Sequence, residues 1–177
     1  MNGARNYAEA LFSLSEEMKN SETVLSDIKI THSVLKSNPE YFKLTDTPAI
    51  SVKEKITLID TAFSKVDQNV KNLLKILCEK HSVHIFPDIA KEFYEVYNEA
   101  YGICPAEVIS VKELSPTQTA KIKEKLEKLT GKTIVIKNTI DSKLIGGIKL
   151  RYMGRELDGS LLARLTKIEQ TLKNTII

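Results

Sequence analysis

The sequence predicts an α+β protein in which an all-α bundle of about six helices precedes a small C-terminal α/β domain. Two observations support this prediction. Apolar residues recur at three- and four-residue spacing through the first hundred residues, whereas strand-like alternation begins only after residue 102. The charge changes at the same point, from a net −3 over residues 1–102 to a net +6 over residues 103–177. We therefore predict a helical domain at 1–104 and an α/β domain at 105–177.

The composition is typical of a soluble globular protein, with 42% hydrophobic and 28% charged residues among 177. No apolar run approaches the roughly 18 residues that a membrane span needs. The two cysteines, Cys78 and Cys104, cannot build a disulfide framework, and this favours a reducing compartment.

Helices in the first domain are predicted from apolar stripes and from the proline-containing breaks between them. Asn38-Pro39 and Asp46-Thr47-Pro48 mark two of these breaks. The predicted helices cover residues 4–18, 22–37, 40–44, 51–63, 67–79 and 87–101.

The second domain is predicted to alternate strands with helices. Strands are expected over 106–111, 133–136 and 148–152, and a final helix after Asp158-Gly159-Ser160. A helix over 116–130 has a capping box, with Ser115 at the N-cap and Gln118 three residues later, and Gly131 is its predicted C-cap.

Glycine-rich phosphate sites are excluded by their context. Gly131-Lys132-Thr133 follows a helix and precedes a strand, the reverse of the order that a phosphate-binding loop needs. Gly146-Gly147 lies in a strand-like run and opens no helix, so we interpret the pair as shaping a sheet.

Two further patterns offer alternatives to a purely structural protein. Cys78-x-x-His81-x-x-His84 resembles part of a metal site and would suit an enzyme, but no second Cys/His pair accompanies it. The lysine-rich face of helix 116–130 could contact nucleic acid, although no aromatic residues interleave with the lysines. We predict no catalytic, metal or cofactor-binding residues, and keep the nucleic-acid adaptor as the alternative function.

Two helices carry more apolar surface than one core contact requires. The apolar residues of helix 4–18 and of helix 67–79 each spread over an arc of about 200°, against about 100° for one contact. Either one of these helices is packed centrally in the bundle, or together they form a groove for a partner's amphipathic helix.

The chain resembles the delta subunit of F-type ATP synthase, the bacterial counterpart of the mitochondrial oligomycin-sensitivity-conferring protein. Tyr7-Ala8-Glu9-Ala10-Leu11-Phe12 is similar to the Y-A-x-A-L opening of that family. The stronger signature is C-terminal and comprises Asp141, Ile145, Gly146 and Gly147, followed by Asp158, Gly159 and Ser160.

This resemblance implies a non-catalytic stator subunit of the proton-translocating enzyme, peripheral on the cytoplasmic face of the cell membrane. The helical domain would bind the N-terminal helix of an alpha subunit, and the α/β domain would bind the b subunits, so that the stalk resists rotary torque. The resemblance implies that the chain binds no nucleic acid and does not itself span the membrane. Combined with the apolar pattern, it predicts a groove built from Tyr7, Ala10, Leu11, Leu14, Leu74 and Leu77. Aspartate at Leu11 or Leu77 is expected to weaken partner binding without unfolding the domain.

Overall fold

The computed structural model describes residues 3–159. The chain divides into two compact units, Met1–Tyr97 and Asn98–Ile177, which are called the helical unit and the α/β unit below. The helices are α1 (Gly3–Glu17), α2 (Ser21–Ser37), α3 (Pro39–Asp46), α4 (Val52–Ala62), α5 (Gln68–Glu79), a 3-10 helix (Val83–Ile85), α6 (Phe86–Ala100) and α7 (Pro116–Thr130). The strands are β1 (Ile103–Ser110), β2 (Thr133–Ile140), β3 (Ile148–Tyr152) and β4 (Arg155–Asp158).

The helical unit is built around apolar side chains that are almost completely removed from solvent. Helices α1, α2, α4, α5 and α6 each contribute buried apolar side chains through one face, as the three- and four-residue spacing requires. The α5 side chains Val70, Leu74 and Leu77 are each no more than 1% exposed, and so are Phe86, Ile89 and Phe93 of α6. At roughly 25 cal/mol per Å² of apolar area, this burial is the main stabilising contribution to the bundle.

The α/β unit contains a four-stranded mixed sheet with strand order β2-β1-β3-β4. β1 and β2 are parallel, and α7 connects them, whereas β3 is antiparallel to both β1 and β4. One face of the sheet holds a small core in which Ile122 and Leu126 of α7 pack with Cys104, Ala106, Ile134 and Tyr152.

The predicted fold class is confirmed: a helical first half precedes a small α/β second half. Both predicted caps of α7 are also confirmed, because Ser115 Oγ accepts from the backbone N–H of Gln118 and Gly131 lies at φ +66°. The final predicted helix lies outside the described residues.

Three details of the sheet differ from the sequence prediction. β1 begins at Ile103, so the predicted domain boundary after residue 104 falls inside a strand. Pro105 is tolerated in β1 because β3 pairs with β1 only from Ala106 onward. On the β3 side, no strand is therefore present at Pro105 to accept the N–H that proline lacks. The pair Gly146-Gly147 lies in a bend before β3 and not within it, and β4 was not predicted at all.

Candidate partner-binding surface

Helices α1 and α5 lie side by side and antiparallel. Near the end of α1, Asn69 Nδ2 donates a hydrogen bond to Met18 Sδ at 3.2 Å. Near the start of α1, Lys80 Nζ donates to the Tyr7 hydroxyl at 3.0 Å. Eleven residues separate the two contacts on each helix, so the helices stay in register and Leu14 lies level with Leu73.

A second neighbour occupies another side of α1. The Phe12 ring packs edge-on against Phe93 and Tyr97 of α6, with centroid distances of 6.0 and 6.3 Å. The guanidinium of Arg5 lies 3.5 Å from the Glu92 carboxylate on the same helix. The wide apolar arc of α1 is therefore partly explained by contacts with two helices, α5 and α6.

Apolar side chains nevertheless remain exposed along the α1–α5 pair. Leu14 and Met18 are 44% and 59% exposed, and Ile76 on α5 is 41% exposed. Ala10 is exposed and Tyr7 is half-buried on the same helix pair. We call these five residues the α1–α5 face. Met18 and Ile76 were not in the predicted groove, although both belong to the wide apolar arcs from which it was derived.

The remaining groove residues lie inside the bundle. Leu11 is 3% exposed, Leu74 is 1% exposed and Leu77 is fully buried. Sequence spacing identifies an apolar arc but does not say which part of it meets a neighbouring helix of the same chain. In this structure the three leucines join α1 and α5 to the bundle interior and present no surface to a partner.

One end of the α1–α5 face carries a positive charge. The Lys80 ammonium lies 5.6 Å from the centroid of the Tyr7 ring, in addition to donating to its hydroxyl. The hydrogen bond to Tyr7, followed by the charge interaction with it, raises the pKa of Lys80 above its ordinary value. Lys80 therefore stays charged at neutral pH and holds the Tyr7 ring against the end of α5.

The first C-terminal signature segment, residues 141–147, connects the end of β2 to the start of β3. The Asp141 backbone N–H donates to the Ser110 carbonyl at 2.9 Å, and its Oδ1 accepts from the Lys143 N–H at the same distance. Gly147 has φ +80°, a conformation that favours glycine. Gly146, Gly147 and the exposed Ile145 line a cleft of about 420 Å³ with Val111 and Leu114.

The second signature segment also contains a glycine that lies close to the backbone of a neighbouring strand. The Gly159 N–H donates to the Ile148 carbonyl at 3.0 Å, and a Cβ at Gly159 would lie 3.1 Å from that oxygen. A larger residue would force β3 or the end of β4 to move. Ser160 lies outside the described residues.

The Cys-His-His pattern does not converge on a metal site. Cys78 is fully buried, and burial raises the pKa of its thiol to about 11. His81 Nδ1 lies 3.3 Å from Lys55 Nζ, and His84 Nδ1 lies 3.0 Å from Asp46 Oδ2. Over residues 3–159, no group of three or more histidine, cysteine or acidic side chains is arranged to hold a metal ion.

The lysine-rich face of α7 is partly neutralised by its own helix. Lys128 Nζ lies 2.6 Å from Glu124 and Lys123 Nζ lies 3.8 Å from Glu127, both at i,i+4 spacing. Such pairs are typical of a solvated helix face and reduce the charge available to a polyanion.

Comparison with known proteins identifies the family. The family model for the ATP synthase delta (OSCP) subunit matches residues 4–172. ATP synthase subunit delta of Clostridioides difficile is 30% identical over 175 residues, covering 98% of this chain and 97% of that protein. The Bacillus mycoides subunit delta is 34% identical over 170 residues, covering 96% and 94%. The chain belongs to the ATP synthase delta (OSCP) subunit family.

A solved structure supports the same fold. A chain of the Toxoplasma gondii mitochondrial ATP synthase hexamer superposes with a TM-score of 0.73 at 20% identity, covering 97% of this chain and 98% of that chain. Membership of the delta (OSCP) family makes this chain a non-catalytic subunit of F-type ATP synthase. Within residues 3–159, every helix is too short or too polar to cross a membrane.

Proposed function

We propose that this delta-family chain is the adaptor that joins the catalytic head of a proton-translocating F-type ATP synthase to its peripheral stalk. It acts at the cytoplasmic face of the membrane, and its two units bind different subunits so that the stalk resists rotary torque. The observation that carries the proposal is the exposed apolar α1–α5 face, because a soluble helix pair gains stability by covering such surface.

The partner of the helical unit is the N-terminal amphipathic helix of an alpha subunit. Tyr7, Ala10 and Leu14 contact it from α1, and Ile76 contacts it from α5. The buried leucines, Leu11, Leu74 and Leu77, contribute indirectly by keeping α1 and α5 in register. An amphipathic helix laid along this face gains affinity mainly from apolar burial, less the cost of ordering the helix.

The partner of the α/β unit is the helical stalk formed by the b subunits. The sequence of this chain carries a net charge of +6 over residues 103–177, whereas residues 1–102 carry a net charge of −3. Two apolar side chains, Ile145 at 69% and Val111 at 40% exposure, flank the cleft beside Gly146-Gly147. These features support a contact with an acidic, amphipathic helix at this end of the sheet.

The alpha-subunit contact is tested by calorimetric titration with a synthetic peptide of the first ~20 residues of the cognate alpha subunit, a length that forms a helix of several turns. We expect Leu14→Asp to weaken binding at least about tenfold, since it places a charge on the apolar face. Leu44→Asp is the matched control, because Leu44 is 45% exposed on α3, outside the α1–α5 face.

Both variants should keep wild-type helical content by circular dichroism, because each changes an exposed side chain. Equal peptide affinity for wild type and Leu14→Asp would remove the α1–α5 face as the docking site.

A further inference from the structure

The α1–α5 face ends in an exposed thioether. Met18 directly follows the last residue of α1, with its backbone N–H donating to the Leu14 carbonyl at 3.1 Å, and it is 59% exposed. A thioether is apolar and polarizable, but a mild oxidant converts it to a polar sulfoxide. The oxidation state of Met18 therefore decides whether this end of the face is apolar or polar.

The Met18 sulfur also joins the two helices of the face. Its Sδ accepts a hydrogen bond from Asn69 Nδ2 at 3.2 Å. Asn69 lies in the first turn of α5, where its backbone N–H donates to Oδ1 of the N-cap residue Asp67 at 2.8 Å. A chemical change at the sulfur would therefore alter both the exposed surface and the contact between α1 and α5.

Oxidation by hydrogen peroxide changes both properties of the side chain. A lone pair of the Met18 sulfur attacks one peroxide oxygen, so that an S–O bond forms while the O–O bond breaks. The departing hydroxide takes up a proton, which leaves methionine sulfoxide and one water; the sulfur has lost two electrons and the peroxide has gained them. The sulfoxide oxygen needs hydrogen-bond donors that an apolar helix laid over Met18 does not supply.

We propose that Met18 is an oxidation-sensitive contact of the α1–α5 face, which packs on the partner helix as a thioether and weakens docking as a sulfoxide. This inference rests on the proposed function, because the partner is the alpha-subunit helix named there. Oxidation acts on the free subunit, in which Met18 is open to solvent, and produces a form that assembles poorly. Methionine sulfoxide reductases return the thioether, so the change is reversible.

A second methionine provides an internal control. Met153 is also 59% exposed, but it lies between β3 and β4 in the α/β unit. The two thioethers are thus equally exposed to a small oxidant, and of the two only Met18 belongs to the α1–α5 face. The thiols of Cys78 and Cys104 are shielded in the native protein, since these residues are 0% and 2% exposed.

The test is calorimetric titration of the full chain with the synthetic alpha-subunit peptide, before and after treatment with peroxide that is removed before the peptide is added. We expect oxidised wild type to bind at least about fivefold more weakly. Met153→Leu should lose the same factor, whereas oxidation should leave the affinity of Met18→Leu at its own untreated value. Met1 is present in every variant, so a loss caused by Met1 would persist in Met18→Leu. Mass spectrometry identifies the oxidised sites.

A second measurement uses the wild-type protein alone. Bound peptide should slow the oxidation of Met18 several-fold and leave that of Met153 unchanged, and a methionine sulfoxide reductase should restore the affinity of the oxidised protein. Equal affinity of oxidised and untreated wild type, or the same loss in Met18→Leu, would overturn this inference while the proposed contact stands. If untreated wild type does not bind the peptide, the proposed contact itself is removed, and this inference with it.

Discussion

At the scale of single residues, neighbouring apolar side chains on α5 have opposite roles. Leu77 is fully buried, whereas Ile76 is 41% exposed on the α1–α5 face. The sequence cannot separate them, since both fall in the same apolar arc. The structure also changes what a substitution should do: aspartate at Leu77 or Leu11 would place a carboxylate in the core, so the expectation that these changes spare the fold is not supported.

Truncation of these two side chains should therefore have different effects on stability. Leu77→Ala should lower the free energy of unfolding by about 2–5 kcal/mol, because it removes buried methyl groups and leaves a cavity. Ile76→Ala, its matched control, should change it by less than about 1 kcal/mol, since the side chain is already partly in water and alanine favours the helix. Urea unfolding followed by circular dichroism measures both, and similar losses in the two variants would contradict the assignment of burial.

At the scale of elements, local signals explain which parts of the fold were predictable. The α7 capping box and the Gly131 C-cap depend on residues within one turn, and both were identified from the sequence. β4 was missed because its hairpin turn is Met153-Gly154, with φ of +48° and +70°, where asparagine or aspartate usually precedes glycine.

The extent of β1 and the surface of the α1–α5 pair depend on more distant parts of the chain. β1 continues through Pro105 only because its second neighbour begins at Ala106. The exposed part of the α1 arc is set by Phe93 and Tyr97 of α6, which cover Phe12. Periodicity within α1 carries no information on its contact with α6. It therefore predicts a wide apolar arc but not which residues of that arc remain exposed.

The capping box of α7 also supports a prediction of its own. Ser115→Ala should lower the free energy of unfolding of the α/β unit by about 0.5–2 kcal/mol, because it removes the acceptor of the Gln118 N–H. Thr117→Ala is the control, because Thr117 lies two residues after Ser115 and is exposed, and this change should be nearly neutral. Amide hydrogen exchange of α7 provides the measurement; unchanged exchange in Ser115→Ala would show that the box contributes nothing.

At the scale of the whole molecule, each unit holds one cysteine in its own core. Cys78 is 0% exposed in the helical unit and Cys104 is 2% exposed in the α/β unit. Both are free thiols. Thiol labelling therefore offers a separate measurement of opening for each unit within the intact chain.

We expect both thiols of the native protein to react with a disulfide reagent far more slowly than in denaturant, since the reagent must wait for the core to open. The labelling of Cys78 is also limited by its ionisation, because burial raises its pKa to about 11. Its thiolate population keeps increasing above pH 9, where an ordinary cysteine is already mostly ionised. Mass spectrometry of labelled peptides separates the two sites.

Leu77→Ala should accelerate labelling of Cys78 because it lowers the cost of opening the helical core. Fast labelling of Cys78 in the wild type at pH 8 would instead show that α5 leaves the bundle easily, and the leucines beneath the α1–α5 face would then be accessible to a partner.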